Sequence, residues 1–404
     1  MTDFMNSAAI GRLEEYYKRI GGVLDNQKQR ESFATYTMGL LGEGERKSVE
    51  PMACRGCPDP TRADAEHQRL LHFITNMKWS DRDVRLSAAQ YAIDAMTEHE
   101  PIEVSILDDT GFLKQGSHSV GVQRQYTGSA GKITNCQIGV SLSVATRTEH
   151  VPIDFQLYLP ESWMNDLKRR TKARIPADMQ FKTKPELALE MIRQAVADKI
   201  PLGVVLADSA YGTSSVFRDG VRTMGLDYAV GVDPKTTVWL LDADANSTSE
   251  KISVRDYAFC HMQNGGFRRC TWRSGTRNDL TAKFAARRVM AVTDNGRQEA
   301  LWLLIEWRNG ETEPANYFLS SLPASMTKKR LIRIVMQRWR TERVYEDLKG
   351  ELGLDHYEGR RYPGWHHHVS CALSCYAFIV AERVRRFSPS AGRSAEDLSF
   401  QIAA

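Results

Sequence analysis

Long apolar runs are missing from this chain. Nothing in its 404 residues approaches the roughly 20 consecutive apolar residues that a membrane-spanning helix needs, so no membrane partner is expected. The start, Met1-Thr2-Asp3-Phe4, has no basic segment leading into an apolar stretch, and a secretory signal is not expected. Cysteine is sparse, seven residues without dense or regular spacing, which excludes a disulfide framework and suggests reduced thiols in the cytoplasm. There is no Gly-x-x-x-x-Gly-Lys-Ser/Thr loop, hence no nucleotide-phosphate cradle. No internal repeat or low-complexity tract is evident. A large charge of one sign is also lacking, since the net charge is only +4.

What is present is ordinary globular composition, 42% hydrophobic and 26% charged, in a chain long enough for two or three domains. Charge placement says more than charge total. Lys328, Lys329, Arg330, Arg333, Arg338, Arg340, Arg343 and Lys349 crowd one stretch, and Arg360, Arg361, Arg383, Arg385, Arg386 and Arg393 follow. Within the first stretch, helical winding puts Arg338, Glu342, Glu346 and Lys349 on one face. An isolated face of this kind is usually a solvated ion-pair ladder. Two further acidic signals change the balance, because each ends an apolar strand-like run: Ile106-Leu107-Asp108-Asp109-Thr110 and Val204-Val205-Leu206-Ala207-Asp208. Two strand-end aspartates and a helix glutamate can build an acidic pocket for two divalent metals, which points to phosphodiester chemistry on a polyanion held by the basic clusters.

Periodicity outlines the organisation. Residues 1–98 read as helical, with Ile10, Leu13, Tyr16 and Tyr17, then Phe33, Tyr36 and Leu40, at helical spacing. Helices are also expected near Ala63–Asn76 and Arg82–Met96. Strand character runs from Ile102 to Asp109, followed by a basic Gly/Ser-rich loop or hairpin over 111–132. Strands follow at Cys136–Thr146 and Val151–Leu159, an amphipathic helix at Pro185–Lys199, and an apolar, buried strand at Leu202–Asp208. A short helix (Ser214–Met224) and strand (Tyr228–Val232) close this part. Residues 236–315 read as short β pieces between polar turns. Strand character returns at Asn316–Leu322, and Met326–Gly353 reads as one long helix. Another apolar helix covers Trp365–Arg386.

These motifs resemble those of DDE-type bacterial insertion-sequence transposases. The family's hallmark helix has Tyr, two residues, Arg, three residues, Glu, six residues, Lys. Arg338, Glu342 and Lys349 fit it, while Val335 stands at the Tyr position, which bears on one DNA-backbone contact and not on the metal site. Asp208-Ser-Ala-Tyr-Gly looks like the second-Asp motif and Asp109-Thr110-Gly111 like the first. Asp108 and Asp109 alternate across a strand, so one of them faces the pocket. Aligning the family pattern favours Asp109, with Asp108 the alternative.

The resemblance, covering about residues 100–385, implies an α/β fold: an RNase H-like mixed sheet with flanking helices. The expected parts are a helical N-terminal DNA-binding domain (1–98), the first part of the catalytic core (99–235), a β-rich inserted subdomain (236–315), the second part of the core with the Glu helix (316–386) and a tail (387–404). The first and fourth core strands would be neighbours and bring Asp109 and Asp208 together. Asp109, Asp208 and Glu342 would hold two Mg²⁺ ions, for which Mn²⁺ can substitute. Arg338 and Lys349 would hold phosphates, with Arg340, Lys328, Lys329 and Arg360 as further DNA contacts.

The implied activity is cut-and-paste DNA transposition. Double-stranded transposon ends and target DNA would be the partners, and a homodimer would pair the ends, at the nucleoid in a bacterial cytoplasm. A domesticated descendant that binds DNA without cutting is the alternative reading. A junction resolvase is disfavoured by the front helices and the β insertion. Trp239, Trp272 and Trp302 are candidates to stack a flipped base, though such residues are more often core. Cys54 and Cys57 with His67 and His72 suggest zinc only weakly, since there is one Cys pair and the histidines share a helix. His366–His368 read as helix packing or phosphate contacts, and Cys371 and Cys375 as buried thiols.

Overall fold

The computed structural model describes residues 7–241, 247–263, 266–273, 280–292 and 298–387. The tail beyond 387, with Arg393, lies outside the described residues. The chain begins with five helices. In α1 (Ser7–Gly21), Tyr16 is buried, Leu13 and Tyr17 are half-buried and Ile10 is exposed, with Ile20 completing the buried side; in α2 (Gln27–Leu41), Phe33, Tyr36 and Leu40 are all buried. The Asn26 side chain caps α2 by accepting from Gln29 N, and Ser80 caps α5 (Asp81–Thr97) by accepting from Asp83 N. Between them lie α3 (Val49–Gly56) and α4 (Ala63–Thr75).

Four strands follow: β1 (Val104–Leu113), β2 (Gln123–Thr127), β3 (Lys132–Ala145) and β4 (His150–Tyr158). Next come α6 (Glu161–Met164), α7 (Leu167–Ala173), α8 (Lys184–Ala197), β5 (Val204–Ala207), α9 (Ser209–Gly212), α10 (Ser215–Thr223) and β6 (Tyr228–Gly231). The segment read as β-rich contains β7 (Thr237–Leu241), β8 (Ser247–Ser253), α11 (Val254–Gln263), β9 (Arg268–Arg273), β10 (Leu280–Val292) and β11 (Gln298–Arg308). The chain then runs through β12 (Asn316–Ser320), α12 (Lys328–Val335), α13 (Arg340–Gly350) and α14 (Tyr362–Phe387).

Two compact units result. The first contains the chain up to Pro101, Asp109–Leu187 and the described residues from Arg340 on. Its five N-terminal helices share it with β2–β4 and α14, and α5 packs on both α14 and β4. The joint is polar and buried. Arg85, 4% exposed, donates to Asp154 on β4 at 2.9 Å, to Ser370 on α14 at 2.7 Å and to Asp81 on its own helix. Around α14, Trp79 stacks on His367 at 3.9 Å, and the Tyr36 hydroxyl meets His368 Nδ1 at 2.8 Å. His366–His368 are therefore buried packing residues, which accounts for their adjacency on the helix.

The second unit contains Ile102–Asp108 and Ala188–Trp339. The first half of β1 pairs in parallel with β5 (Val104↔Val204 to Ile106↔Leu206), and β5 pairs in parallel with β6. Beyond β6 the order is β12-β11-β10-β7-β8, with β9 also on β10, so the strands between 236 and 315 extend the sheet that β5 and β6 begin. In the first unit, β3 carries β2 and β4 along its length and neighbours β1. Antiparallel strands ahead of a parallel β1–β5–β6 arrangement are the mixed α/β, RNase H-like layout the sequence led us to expect, first and fourth core strands adjacent.

The single helix expected over Met326–Gly353 is divided. α12 ends at Val335, Met336–Trp339 winds as a 3-10 turn, and α13 starts at Arg340. Neither Gly nor Pro causes the change. The tighter turn carries two consecutive committed side chains: Gln337 donates to Glu103, just before β1, at 3.0 Å and Arg338 to Asp108 on β1 at 2.9 Å. Gly353, with φ +60°, lies three residues past the end of α13.

Candidate active site

In the first unit, Asp109 lies on β1, half-buried, and its Oδ2 accepts from Lys184 Nζ at 2.9 Å. Lys184 opens α8, and sequence reasoning missed it, because a lysine at the first turn of an amphipathic helix carries no motif. The residues after Asp109 form a tight joint. A side chain at Gly111 would place its Cβ 2.0 Å from Thr127 Oγ1, so only glycine lets β2 close onto β1 here. The Thr110 and Ser129 hydroxyls are 3.1 Å apart, and the Ser129 hydroxyl also accepts from Gly111 N at 3.3 Å.

Lys349, reaching in from α13, completes the joint. Its ammonium donates to Thr110 Oγ1 (2.7 Å), the Gly111 carbonyl (2.9 Å) and Ser129 Oγ (3.2 Å). All three of its N–H bonds are engaged within the protein. Burial lowers its pKa, against an opposing pull from Asp355. The residue expected to grip phosphate thus fastens the helix of Glu342 to the stretch of β1 that follows Asp109. α13 is fixed from its inner side as well: Val344, Tyr345 and Leu348 are buried, and the Tyr345 hydroxyl is 2.6 Å from Ser141 Oγ. Glu342 and Glu346 remain exposed on the outer side.

In the second unit, Arg338 Nη1 donates to Asp108 Oδ2 at 2.9 Å, and Asp108 is buried. Just before β1, Glu103 receives Arg330 at 2.9 Å and Gln337 at 3.0 Å. The β1–β5 ladder stops at Ile106↔Leu206, two residues short of both Asp108 and Asp208. Asp208 is the N-cap of α9, with Oδ1 accepting from Ala210 N at 2.9 Å. The Tyr-Gly that ends its motif is structural. Tyr211 is fully buried against Phe217, and a Cβ on Gly212 would stand 2.1 Å from the Gly231 carbonyl on β6.

Other expected contact residues fall into two groups. Arg340 donates to the carbonyls of Thr146 (2.8 Å) and Arg147 at the end of β3, so it anchors α13. Lys328, Lys329 and Arg360 are exposed. Trp302 is buried, with its indole N–H on the Pro323 carbonyl at 3.0 Å, and Trp239 lies under Lys251.

The chemistry of the expected ligands suits a hard divalent cation: three carboxylates, without thiolate or imidazole. The 2.9 Å ion pair from Lys184 already sets a cation against Asp109. Among the described residues no three His, Cys, Asp or Glu side chains are gathered as a metal-holding group, and that includes Cys54, Cys57, His67 and His72.

A family model described as "DDE superfamily endonuclease" matches residues 19–279, a span that includes Asp109 and Asp208 and ends before Glu342. The chain is also similar to a protein of Microchaete diplosiphon named "Probable transposase for insertion sequence element IS701", with 26% identity over 221 residues. That alignment covers 54% of this chain and 53% of the relative, so the chain spans about half the length of the curated relative it matches.

Proposed function

The chain belongs to the DDE superfamily endonucleases, and from that premise we propose that it is a transposase that cuts DNA at the ends of its element and joins them to target DNA. The observation that carries this reading is the Lys349 joint, which fixes the Glu342 helix to the Asp109-Thr110-Gly111 segment of β1. Asp109, Asp208 and Glu342 would hold Mg²⁺, with Mn²⁺ as a substitute. When bound, the metal supplies Lewis-acid stabilisation of the attacking and leaving oxygens of an in-line displacement.

The chain's own groups place and steady the carboxylates. Asp208 is held at the start of α9 by the Ala210 N–H. Arg338 pairs with Asp108 and Lys184 with Asp109, so each of the two neighbours meets one cation, and it is the family pattern that favours Asp109 as the ligand. Exposed Lys328, Lys329 and Arg360 would attract the DNA backbone. In the cutting step a water oxygen forms a bond to phosphorus and the 3′-oxygen leaves, taking a proton to become a hydroxyl. In the joining step that 3′-hydroxyl forms a bond to a target phosphorus, the target's own 3′-oxygen leaves, and the attacking group's proton is passed on to it. One phosphodiester replaces another, so no nucleotide is consumed. Pairing of two ends calls for at least two copies of the chain, acting at the bacterial nucleoid. No helix among the described residues is long and apolar enough to cross a membrane.

The test uses purified protein and duplexes carrying the element's own ends, with and without Mg²⁺, read on a denaturing gel. Site-specific, metal-dependent cuts are expected. Glu342→Gln should lose more than the roughly 10–100-fold that removal of an outer partner of a metal ligand costs. Specific binding without cleavage in either Mg²⁺ or Mn²⁺ would replace this reading with a DNA-binding descendant that no longer cuts.

A further inference from the structure

The β2–β3 hairpin presents an unusual surface. Tyr126 and Ile133 are direct cross-strand partners, so their side chains share one face, and they are 64% and 61% exposed. Arg124, two residues before Tyr126, shares that face and is exposed, while Lys132, next to Ile133 at the hairpin end, is exposed on the other face. The turn between the strands, Gly128-Ser129-Ala130-Gly131, closes through Gly131 at φ +61°. The charge around the hairpin is one-sided. From Thr110 to Thr148 the chain has no Asp or Glu at all, but it has Lys114, Arg124, Lys132 and Arg147, in a protein with 50 acidic residues. A span cleared of carboxylates over this length suits a polyanionic partner.

The hairpin is also rigidly placed. Thr127 fills the space that a Gly111 side chain would occupy, and Ser129 bonds to Thr110, Gly111 and Lys349. Its tip is therefore fastened to the residues that follow Asp109.

We propose that this hairpin is a DNA-contacting element of the enzyme: Arg124 and Lys132 bind backbone phosphates, and the Tyr126–Ile133 pair packs on base or sugar faces next to the cut strand. An Arg beside an aromatic–aliphatic pair, with a Lys at the end of the same hairpin, suits a DNA backbone passing next to an exposed base or sugar face. A lipid surface or another protein would also take an apolar pair. The attachment to β1 beside Asp109 favours DNA, because a substrate cut there must pass the hairpin. The assignment rests on the transposase reading.

The experiment measures fluorescence anisotropy of labelled duplexes in EDTA over a series of salt concentrations. One duplex carries the element's ends and one is an unrelated sequence of equal length. The proteins are the full chain, Arg124→Ala/Lys132→Ala, Tyr126→Ala and Tyr126→Phe. The double variant should weaken binding to both duplexes and reduce the slope of log K against log [salt] by about 1.8, the value for two phosphate contacts. Tyr126→Ala should weaken binding by about 5- to 150-fold, the range for one lost stack, and Tyr126→Phe should restore it. Tyr126 and both basic side chains are exposed, so thermal melts of the variants should match the parent. Unchanged affinity and slope in every variant, with a parent that binds and cuts, would overturn the hairpin assignment alone. A parent that binds neither duplex would overturn the function reading and the hairpin with it.

Discussion

Replacing Lys184 by Met tests the ion pair at Asp109 most directly. The ammonium and carboxylate lie 2.9 Å apart, with side chains 28% and 19% exposed. At an effective dielectric of about 20 the gross attraction is roughly 6 kcal/mol. Partial desolvation of both groups and the ordering of a long lysine cancel most of that. A half-buried pair then keeps a net of about 1–2 kcal/mol, between exposed pairs and buried ones. A divalent ion that takes Asp109 as ligand must displace the ammonium. Lys184 therefore opposes metal binding by that amount, a factor of about 5–30 in affinity. Lys184→Met should bind Mn²⁺ about 5- to 30-fold more tightly, measured by the loss of the free-ion electron paramagnetic resonance signal during titration. Without metal the variant should melt at a lower temperature than the parent, since a half-buried carboxylate has lost its partner, and Mn²⁺ should restore it. Asp109→Asn serves as the control that weakens binding whichever residue stands at 184. Equal or weaker Mn²⁺ affinity in Lys184→Met would show that the lysine does not compete for the ligand, and the reasoning would fail.

Two further outcomes follow from packing and burial. Gly212→Ala forces a Cβ to within 2.1 Å of the Gly231 carbonyl, and backbone cannot swing aside as a side-chain tip can; a loss of about 1–3 kcal/mol is expected in urea unfolding, and an unchanged midpoint would contradict the packing. Burial holds the His366 pKa down at about 3 and that of His368 at about 4, and lowers His367 in the same direction. With folded values below the unfolded value of about 6.5, the unfolded chain binds protons that the native state refuses. Stability is thus complete above about pH 6.5 and lost as pH falls toward 4, with a slope of up to about 4 kcal/mol per pH unit for three histidines. Urea midpoints that stay flat between pH 6.5 and 4.5 would argue against three buried neutral rings.

Much of the fold is local and was legible. Helical spacing in Phe33–Leu40, and the apolar run Val204–Ala207, report burial on one face or on both, and burial is what the structure shows at Phe33, Tyr36, Leu40 and Val205–Ala207, whereas of the first helix's spaced residues Tyr16 is buried and Ile10 is exposed. The motif spacing placed Glu342 and Lys349 two turns apart on one helix. Its limit was partner choice. Arg338, Arg340 and Lys349 were read as DNA contacts because basic side chains near an acidic motif suit phosphate. All three hydrogen-bond to residues about 190–240 positions away in sequence, Asp108, Thr146 and Thr110 among them. Such bonds leave no periodic trace in the chain.

By itself, then, the sequence determined the residue types of the site, their spacing and the strand and helix that carry each, because these depend on near-neighbour periodicity and on turn chemistry. Only the tertiary structure decided the parallel register of β1 with β5, the change of winding at Met336–Trp339, the ion pair from Lys184 to Asp109 and the fastening of the hairpin to Gly111. Each of these joins residues remote in the chain. Their energies come from close approach, an ammonium at 2.9 Å or a missing Cβ, which exists only once the elements have packed.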